Sequence, residues 1–438
     1  MKRALNWLAA RKYTLMAIFS LSVVLALQAC GGGGNYQSHG TKGSGSITTN
    51  SDARFTGKII FVKNRNIFVL DGKTNQLTQL TSGNSTLQPS LSFDGKTLAF
   101  EVRQSSNFYS DIATMPFQSG ANPTMITDDS LHNLSDGVPH HYEFWAGNPI
   151  WTADSQNLIY LSDFFKGGLT TRYVNQTCTG NASGDWILDM GIVEMQANTQ
   201  ATPAIAQNGR ANPPKQLAWP YCYAGGDQNL SLRPGVSDTE ILFTSFNYTG
   251  QQLDLTAQLS LLIVSPDGKS SLIQLSPPDP NAVPLEPSWS PDGKHITYIR
   301  RENGQDNLYI MPVPDTTITG TPNQESYILN GGGKTTYYTN TTYYSQSQQL
   351  AQGIYGNPVW GDGTHLVVMK FDTTDNGGMF NLFLATLKFA APAANPTANP
   401  TSTATTAPAA GSVSISGNPI QLTQGGVDGE SAPIWTGA

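Results

Sequence analysis

The sequence predicts an all-β fold, and three observations support this prediction. Charged residues make up only 13% of the 438 residues, whereas helical bundles and coiled coils are rich in Glu and Lys. The chain contains 43 Gly and 27 Pro, which is typical of many short strands joined by turns. Hydrophobic residues at 38% and aromatic residues at 10% are enough for a packed core, so the composition excludes global disorder.

Residues 1–29 have the pattern of an export signal. Basic residues near the start precede an apolar run at 15–27, which is shorter than the roughly 20 residues that a membrane-spanning helix needs. The signal ends in Leu27-Gln28-Ala29-Cys30, which resembles the lipobox of bacterial lipoprotein signals. That resemblance implies that Cys30 becomes the lipidated first residue of the mature chain. An ordinary signal peptide followed by an incidental Cys30 is the alternative.

Residues 30–54 are predicted to be a flexible tether between the lipid and the folded body. Gly31 to Gly34 open it, and Ser, Gly and Thr predominate up to about Ser51. In the lipoproteins that the signal resembles, Asp after the lipidated Cys is typical of the inner membrane. Gly31 therefore implies an outer-membrane lipoprotein, on either the periplasmic or the surface side. Because the signal carries basic residues and no acid, the exported part is more acidic than the net charge of −7, which argues against nucleic-acid binding.

Cys178 and Cys222 are predicted to form a disulfide. They are the pair left once Cys30 carries the lipid, and an exported protein folds in an oxidising compartment. Neither has the short-spaced Cys or His neighbour that zinc sites use.

Residues 55–438 contain one short pattern six times. After each of the first five copies come a turn with Asp or Gly and then an apolar strand, as in Asp94-Gly95 followed by Thr97–Val102. Short strands repeated every 50 to 85 residues or so predict a β-propeller. The six copies are Gln88-Pro89-Ser90-Leu91-Ser92, Asn148-Pro149-Ile150-Trp151-Thr152, Arg233-Pro234-Gly235-Val236-Ser237, Glu286-Pro287-Ser288-Trp289-Ser290, Asn357-Pro358-Val359-Trp360-Gly361 and Ala432-Pro433-Ile434-Trp435-Thr436.

One of these copies carries a family resemblance. The segment Pro287-Ser288-Trp289-Ser290-Pro291-Asp292-Gly293-Lys294, followed by Asn307–Met311, resembles the repeat of the TolB-like β-propeller family. The resemblance runs from about Gly57 to the C-terminus and is weakest around 160–235 and 312–356. It implies a six-bladed propeller. The sequence departs from TolB by lacking the α/β domain that precedes the propeller there, so the partners of TolB are not carried over.

The two ends of the chain predict how the ring closes. Before the first copy the sequence predicts three strands, near Lys58–Val62, Asn66–Leu70 and Gln76–Leu80. The last copy contributes one further strand. One C-terminal strand and three N-terminal strands make a complete four-stranded blade, which protects the sheet edges at the closing point. We therefore expect a monomer with six blades, closed by pairing of the C-terminal strand with the N-terminal strands.

The sequence contains little that indicates an enzyme. Propeller peptidases of related families carry a separate α/β-hydrolase domain, and the sequence lacks the Gly-x-Ser-x-Gly motif of such domains. His132, His140 and His141 are weak candidates for a metal site. Distant propeller relatives, the oligogalacturonate lyases, use channel-lining His and a metal, so the alternative function is a metal-dependent polysaccharide-degrading enzyme with its site at the channel mouth. No cofactor is predicted.

Aromatic residues in the predicted loops are the candidates for partner binding. Each blade has four strands, counted from the centre outward. The loops from the second to the third strand and from the fourth strand to the next blade lie at the same face of the propeller. Long loops of these two kinds are predicted at about 128–147, 163–185, 218–232 and 330–356. Tyr and Trp outside regular strands are typical of recognition surfaces, with self-packing over the channel as the alternative. The candidates are Tyr142, Trp145, Trp219, Tyr221, Tyr223, Tyr343 and Tyr344.

A low-complexity insertion at 389–411, rich in Ala, Pro and Thr, is predicted to be an extended loop between the third and fourth strands of the sixth blade. It is expected at the opposite face, and the sequence leaves its glycosylation open. The function that the sequence favours is a membrane-anchored envelope lipoprotein whose propeller is a scaffold for interaction with other envelope proteins.

Replacing the lipidated residue tests the anchor. We expect Cys30→Ser to move the protein from the membrane fraction to the soluble fraction and to abolish labelling by a fatty-acid analogue, because the thiol is the lipid attachment point. Fractionation with and without the substitution measures this, and unchanged membrane association contradicts the lipoprotein assignment.

Overall fold

Short β-strands joined by turns make up the part of the chain that the computed structural model describes. The described residues are 47–103, 110–127, 145–162, 191–198, 214–218, 227–236, 239–248, 255–266, 269–314, 318–328, 334–375, 378–390 and 411–437. Within these ranges the helical element is one 3-10 turn at Tyr344–Gln346, and no helix there is long and apolar enough to cross a membrane.

The strands follow one another at short intervals along the chain. In chain order they are β1 (Thr48–Thr49), β2 (Lys58–Lys63), β3 (Asn66–Asp71), β4 (Leu77–Gln79), β5 (Thr86–Leu91), β6 (Thr97–Arg103), β7 (Ser110–Pro116), β8 (Thr124–Met125), β9 (Ala146–Trp151), β10 (Asn157–Ser162), β11 (Gly191–Gln196), β12 (Lys215–Ala218), β13 (Asp227–Leu232), β14 (Thr239–Tyr248), β15 (Leu255–Val264), β16 (Ser270–Gln274), β17 (Ala282–Trp289), β18 (His295–Glu302), β19 (Gln305–Pro312), β20 (Thr321–Ile328), β21 (Lys334–Thr339), β22 (Gln348–Ala351), β23 (Tyr355–Asp362), β24 (His365–Asp372), β25 (Met379–Phe389), β26 (Val413–Ile415), β27 (Ile420–Gln421), β28 (Thr423–Gln424) and β29 (Ile434–Thr436).

Six sheets of antiparallel strands form the blades of a propeller. In order from the centre outward, blade one is β29-β2-β3-β4, blade two β5-β6-β7-β8, blade three β9-β10-β11-β12 and blade four β13-β14-β15-β16. Blade five is β17-β18-β19-β22, and blade six is β23-β24-β25 with β26 and β27 both paired to β25. The first strand of each blade contacts the first strand of the next, from β29 through β5, β9, β13 and β17 to β23 and back to β29. The predicted six-bladed ring is confirmed.

Ring closure follows the predicted pairing. Strand β29 from the C-terminus pairs with β2 from the N-terminus, with Trp435 opposite Ile59. Near this junction Asp428 accepts hydrogen bonds from the backbone N–H groups of Asn64 and Arg65, at 3.0 and 2.7 Å. The buried ammonium of Lys63 donates to the carbonyl oxygens of Gly425 and Gly426. The two ends of the chain are therefore joined by a strand pair and by a polar clamp.

The second strand of a blade is apolar on both faces because each face packs against a different neighbour. In β2, Ile60 and Val62 belong to the core shared with blade two, whereas Ile59 and Phe61 belong to the core shared with blade six. All four side chains are fully buried. This explains a continuous hydrophobic run where a sheet with one solvated face would alternate.

A β-bulge sits at the same place in the first strand of five blades. The residue at the bulge has a positive φ, between 43° and 56°, and the pairing register with the second strand slips by one residue there. In four of the five the next residue is Pro, which has no N–H to donate to the sheet. The bulge residues are Gln88, Asn148, Asn229, Glu286 and Asn357.

The bulge corrects the predicted repeat of blade four. The equivalent of the Asn-Pro pairs is Asn229-Leu230 and not Arg233-Pro234. Arg233 instead follows the strand and is buried, with its guanidinium 2.8 Å from the carboxylate of Glu240 and 3.0 Å from the carbonyl oxygen of Gly293 in blade five. The Pro of Arg233-Pro234 therefore belongs to a turn, and residues 227–232 of the predicted loop 218–232 form β13.

The predicted loop 330–356 is also wrong as a fourth-to-first connection. It contains β21 and the fourth strand of blade five, β22, so most of it lies between the third and fourth strands of that blade. Strands β20 and β21 form a hairpin, and β21 pairs in parallel with β16 of blade four. Blade four thus gains two strands from the segment that follows the third strand of blade five.

Strand β1 lies within the segment that the sequence assigns to the tether. Thr48 and Thr49 pair with β28 beside blade six, and Ala53 is buried. Residues 391–410, most of the low-complexity insertion, lie outside the described residues and follow β25, the third strand of blade six.

Tryptophan at the fourth position of the repeat wedges between blades. Trp435 is 9% exposed, contacts Phe55 edge-on at 5.5 Å between ring centroids, and donates from Nε1 to the carbonyl oxygen of Thr56 at 2.7 Å. Its ring fills the space beside Gly361 of blade six, where a Cβ would lie 2.3 Å from it.

Truncating this Trp should weaken the closing blade. We expect Trp435→Ala to lower the free energy of unfolding by about 3–5 kcal/mol, since it removes a buried ring and a hydrogen bond at the ring junction. Denaturant unfolding measures the change. Phe93→Ala is the matched control, because Phe93 is 57% exposed and its loss should change little. Equal effects of the two substitutions on the free energy of unfolding would contradict closure of the ring by β29 and β2.

Candidate functional site

The axis of the propeller is a channel lined by the first strands of all six blades. All four positions of the repeat contribute residues to the channel wall, and the Trp side chains at the fourth position are buried in the cores between blades. The channel holds a cavity of about 260 Å³. Its third-position wall consists of small and aliphatic side chains, namely Ser90, Ile150, Ser231, Ser288, Val359 and Ile434.

The first positions form a ring of amide and carboxylate side chains, which we call the polar ring. Its members are the bulge residues Gln88, Asn148, Asn229, Glu286 and Asn357. The positive φ at each bulge is the backbone feature that these residues share, and Asn in particular tolerates this conformation. Local backbone geometry and residue type therefore agree at the same points of the ring.

Side chains of the polar ring bond the backbone of the next blade. Gln88 Oε1 accepts from the N–H of Asn148 at 2.5 Å, and Asn148 Oδ1 accepts from the N–H of Leu230 at 3.1 Å. Glu286 Oε2 accepts from the N–H of Asn357 at 2.6 Å. The N–H of Gln88 in turn donates to Ser431 Oγ at 2.8 Å, so four of the six blade junctions carry the same kind of bond.

Charged residues gather at the face where the first strands begin, which we call the entry face. Arg103 lies 2.7 Å from the carboxylate of Glu101 and 3.5 Å from that of Glu430. Arg65 lies 3.7 Å from Glu430. Burial raises the pKa of Glu101, and the positive charge of Arg103 opposes this rise. The network joins blades one and two beside the channel.

Glu286 is the ionisable member of the polar ring. Burial raises its pKa to about 7, and the negative charge of Asp306 adds to the rise. The hydrogen bond from the backbone of Asn357 and the charge of Arg301 act in the opposite direction. Near neutral pH the side chain therefore exists in both protonation states.

Among the aromatic residues predicted to bind a partner, the structure describes three. Trp145 precedes β9 at the entry face, half-buried, with the Arg103 guanidinium 5.3 Å from its ring centroid. Tyr343 and Tyr344 lie between the third and fourth strands of blade five and are half-buried against the core between blades four and five. Tyr344 packs on Tyr298 at 5.8 Å between ring centroids. The structure thus separates Trp145 from the tyrosine pair.

The other predicted site residues lie outside the described ranges. They are the lipidation residue Cys30, the predicted disulfide partners Cys178 and Cys222, the aromatic candidates Tyr142, Trp219, Tyr221 and Tyr223, and the metal candidates His132, His140 and His141. Within the described part of the chain, no three His, Cys, Asp or Glu side chains are grouped as metal ligands.

Sequence reasoning missed the polar ring. The signal was present, since the residue before Pro in the repeat is Gln, Asn or Glu in four copies. A long polar side chain at a recurring position next to a buried Pro indicates a role at the ring axis, where all copies of a propeller repeat converge.

Comparison with protein-family models finds no match, and comparison with curated proteins finds none either. Solved structures of similar fold include TolB from Acinetobacter baumannii, with 13% identity, TM-score 0.46, and alignment over 86% of this chain and 66% of that protein. A putative TolB from Agrobacterium tumefaciens has 10% identity and TM-score 0.42 over 78% of this chain and 86% of its own. An oligogalacturonate lyase from Vibrio parahaemolyticus has 12% identity and TM-score 0.40 over 77% and 75%. This chain spans just under two thirds of the first of these proteins.

Removing the ionisable group of the polar ring should change how stability depends on pH. Because the pKa of Glu286 is higher in the folded state, the folded state binds more protons, and wild-type stability falls as pH rises from about 5 to 8. Glu286→Gln keeps an acceptor for the N–H of Asn357 and removes this loss. We expect the variant to gain on the order of 2–3 kcal/mol relative to wild type between pH 5 and pH 8.

Denaturant unfolding at several pH values measures that difference. Glu194→Gln, in blade three away from the channel, reports what the same chemical change does elsewhere. Parallel stability curves for wild type and Glu286→Gln would contradict the raised pKa of Glu286.

Proposed function

We propose that this chain is a lipid-anchored lipoprotein of the bacterial envelope, held at the outer membrane, and that its propeller binds a protein partner at the entry face. It acts as an interaction scaffold and not as an enzyme. The anchor is Cys30, as the export signal indicates, and the body beyond the tether is the six-bladed ring.

The arrangement of the entry face is the observation that carries this proposal. A half-buried Trp145 packs on Arg103, Arg103 joins Glu101 and Glu430, and the polar ring lies just inside the channel. Trp and Arg are the residue types that most often dominate binding energy at protein interfaces. An aromatic and charged rim around a polar recess offers both contact area and hydrogen-bonding groups to a partner.

A rigid scaffold suits this role. Glu101 and Arg103 lie on β6, which is packed between blades, and Trp145 directly precedes β9, so little ordering of these residues is needed when a partner binds. The Arg103 side chain is already held by two carboxylates, which reduces the entropy that a contact at Trp145 would otherwise cost.

Crosslinking in the native envelope tests the proposal. Partners captured by wild type are identified, and the amount captured is then compared for Trp145→Ala and Phe93→Ala. We expect Trp145→Ala to lower capture about fivefold or more, the effect of losing an interface residue worth over 1 kcal/mol. Phe93→Ala removes an exposed aromatic side chain from the opposite end of the channel and should leave capture unchanged.

Two results would contradict the proposal. One is equal capture by all three proteins, which removes the entry face as the binding surface. The other is stoichiometric Mn, Zn or Ca in the purified protein together with cleavage of an acidic polysaccharide, which would establish the enzyme alternative.

A further inference from the structure

We propose that the channel at the entry face is a binding site for one organic cation with N–H donors, such as a lysine ammonium or arginine guanidinium of the partner, and that Glu286 and Asn357 hold it. This inference rests on the proposed function and specifies which group of the partner enters the channel.

Glu286 and Asn357 each keep one acceptor oxygen for the channel. One carboxylate oxygen of Glu286, Oε2, is occupied by the N–H of Asn357. Asn357 is 4% exposed, and its Nδ2 donates to the carbonyl oxygen of Gly429 at 2.9 Å. Within the described residues Glu286 Oε1 and Asn357 Oδ1 have no hydrogen-bond partner, and both residues line the cavity. Two acceptors from adjacent blades are thus left at one place on the wall.

The charge of Glu286 is not neutralised by the arginines around it. Arg301, the basic residue that acts on it, bonds both carboxylate oxygens of Asp306, at 2.7 and 3.2 Å. Arg103 and Arg65 are engaged by Glu101 and Glu430. Among the described residues Glu286 forms no ion pair. Partial burial of a carboxylate without an ion-pair partner is costly, so a cation that enters the channel gains from an interaction that the protein itself does not provide.

The rest of the wall suits a cation that donates hydrogen bonds. Asn229 contributes a side-chain amide to the polar ring, with no hydrogen bond to it within the described residues, and Ser288 contributes a hydroxyl one layer below Glu286. These groups supply neutral acceptors for the N–H groups of an ammonium or guanidinium.

The dimensions favour an organic cation over a metal ion. Calcium takes six to eight oxygen ligands at about 2.3–2.6 Å, whereas the oxygens of the polar ring are spread around the wall of a cavity of about 260 Å³. Pockets for drug-sized ligands begin at about 300 Å³, so this cavity matches one long side chain. No cluster of three metal-ligating side chains occurs in the described part of the chain.

Titration calorimetry of the purified protein with small amines tests the site. The probes are Nα-acetyl-lysine amide and Nα-acetyl-arginine amide, with Nα-acetyl-norleucine amide as the uncharged control of similar length. We expect the two cationic probes to bind and the norleucine probe not to bind. Binding of all three alike would overturn the proposal, because it would show recognition of the backbone amide or of the methylene chain.

Three variants locate the site within the channel. Glu286→Gln should weaken binding of the cationic probes at least tenfold, whereas Glu194→Gln, outside the channel, should not change it. Asn229→Asp adds a carboxylate to the polar ring and should strengthen binding several-fold. If Glu286→Gln and Glu194→Gln bind equally well, the cation does not sit at Glu286 and the proposal fails.

The pH dependence supplies an independent readout. Strand β17 packs against β13, β14, β15, β18 and β23. Arg301 on β18 acts on Glu286, and so does Asp306 on β19, the strand beyond it. Since the pKa of Glu286 is about 7, affinity for the cationic probes should rise about tenfold from pH 6 to pH 8. Protons should be released on binding at pH 7, which calorimetry in buffers of different ionisation enthalpy detects. A flat pH profile would contradict the role of Glu286.

The outcomes separate this inference from the proposed function. Calcium or manganese that binds in a Glu286-dependent way, while the amines do not bind, would overturn the inference in favour of a metal site. Partner capture that depends on Trp145 but is unchanged in Glu286→Gln, with no amine binding, would leave the scaffold standing and refute the cation site.

Discussion

The hydrogen bonds that cross from blade to blade around the channel are the interaction on which the structure depends. At three junctions a polar side chain on the first strand of one blade accepts from a backbone N–H of the next, as Gln88 does from Asn148. At a fourth, the acceptor is Ser431, just before β29. A bulge with positive φ occurs at both Gln88 and Asn148, and the Pro that follows each lacks an N–H. Because the bulge interrupts the sheet ladder, it frees backbone groups that would otherwise pair within the blade, and these groups join the blades at the axis.

Farther from the axis, apolar packing joins neighbouring blades. The second strand of each blade contributes to two cores, one on each side, as Ile59 and Ile60 do from adjacent positions. Closure is therefore a property of every junction, and the junction between blades six and one differs mainly in that it joins the two ends of the chain. There the strand pair of β29 with β2 is supported by Asp428 and by the buried ammonium of Lys63. The hairpin β20–β21 ties blades four and five together from the outside.

The residues that hold the ring together are also the residues that face the channel. Glu286 uses one carboxylate oxygen for the neighbouring blade and presents the other to the cavity. The hydrogen bond to the next blade explains why a polar side chain occurs at this position. An amide side chain would accept that bond equally well, as Gln88 and Asn148 do at other junctions. The carboxylate, with its raised pKa, adds a charge that the ring itself does not require. The proposed cation site uses this excess over the structural need.

The sequence by itself determined the class of fold, the number of blades and the way the ring closes. These follow from a repeat whose turns and apolar strands are local features, and from counting the strands before the first copy and after the last. Local signals were misleading where two patterns looked alike. Arg233-Pro234 matches the sequence pattern of the repeat, but Arg233 forms a buried ion pair with Glu240. The structural equivalent of the repeat is Asn229-Leu230, which contains no Pro.

Only the tertiary structure decided which residues meet at the axis and which segments add strands to the sheet of another blade. The polar ring joins residues from five blades, and successive members are between 57 and 81 positions apart along the chain. No local pattern reports that their side chains converge. The parallel pairing of β21 with β16 depends on a sheet edge left open in another blade. Both are long-range contacts, whose partners are set by how the blades pack and not by the residues next to them in the chain.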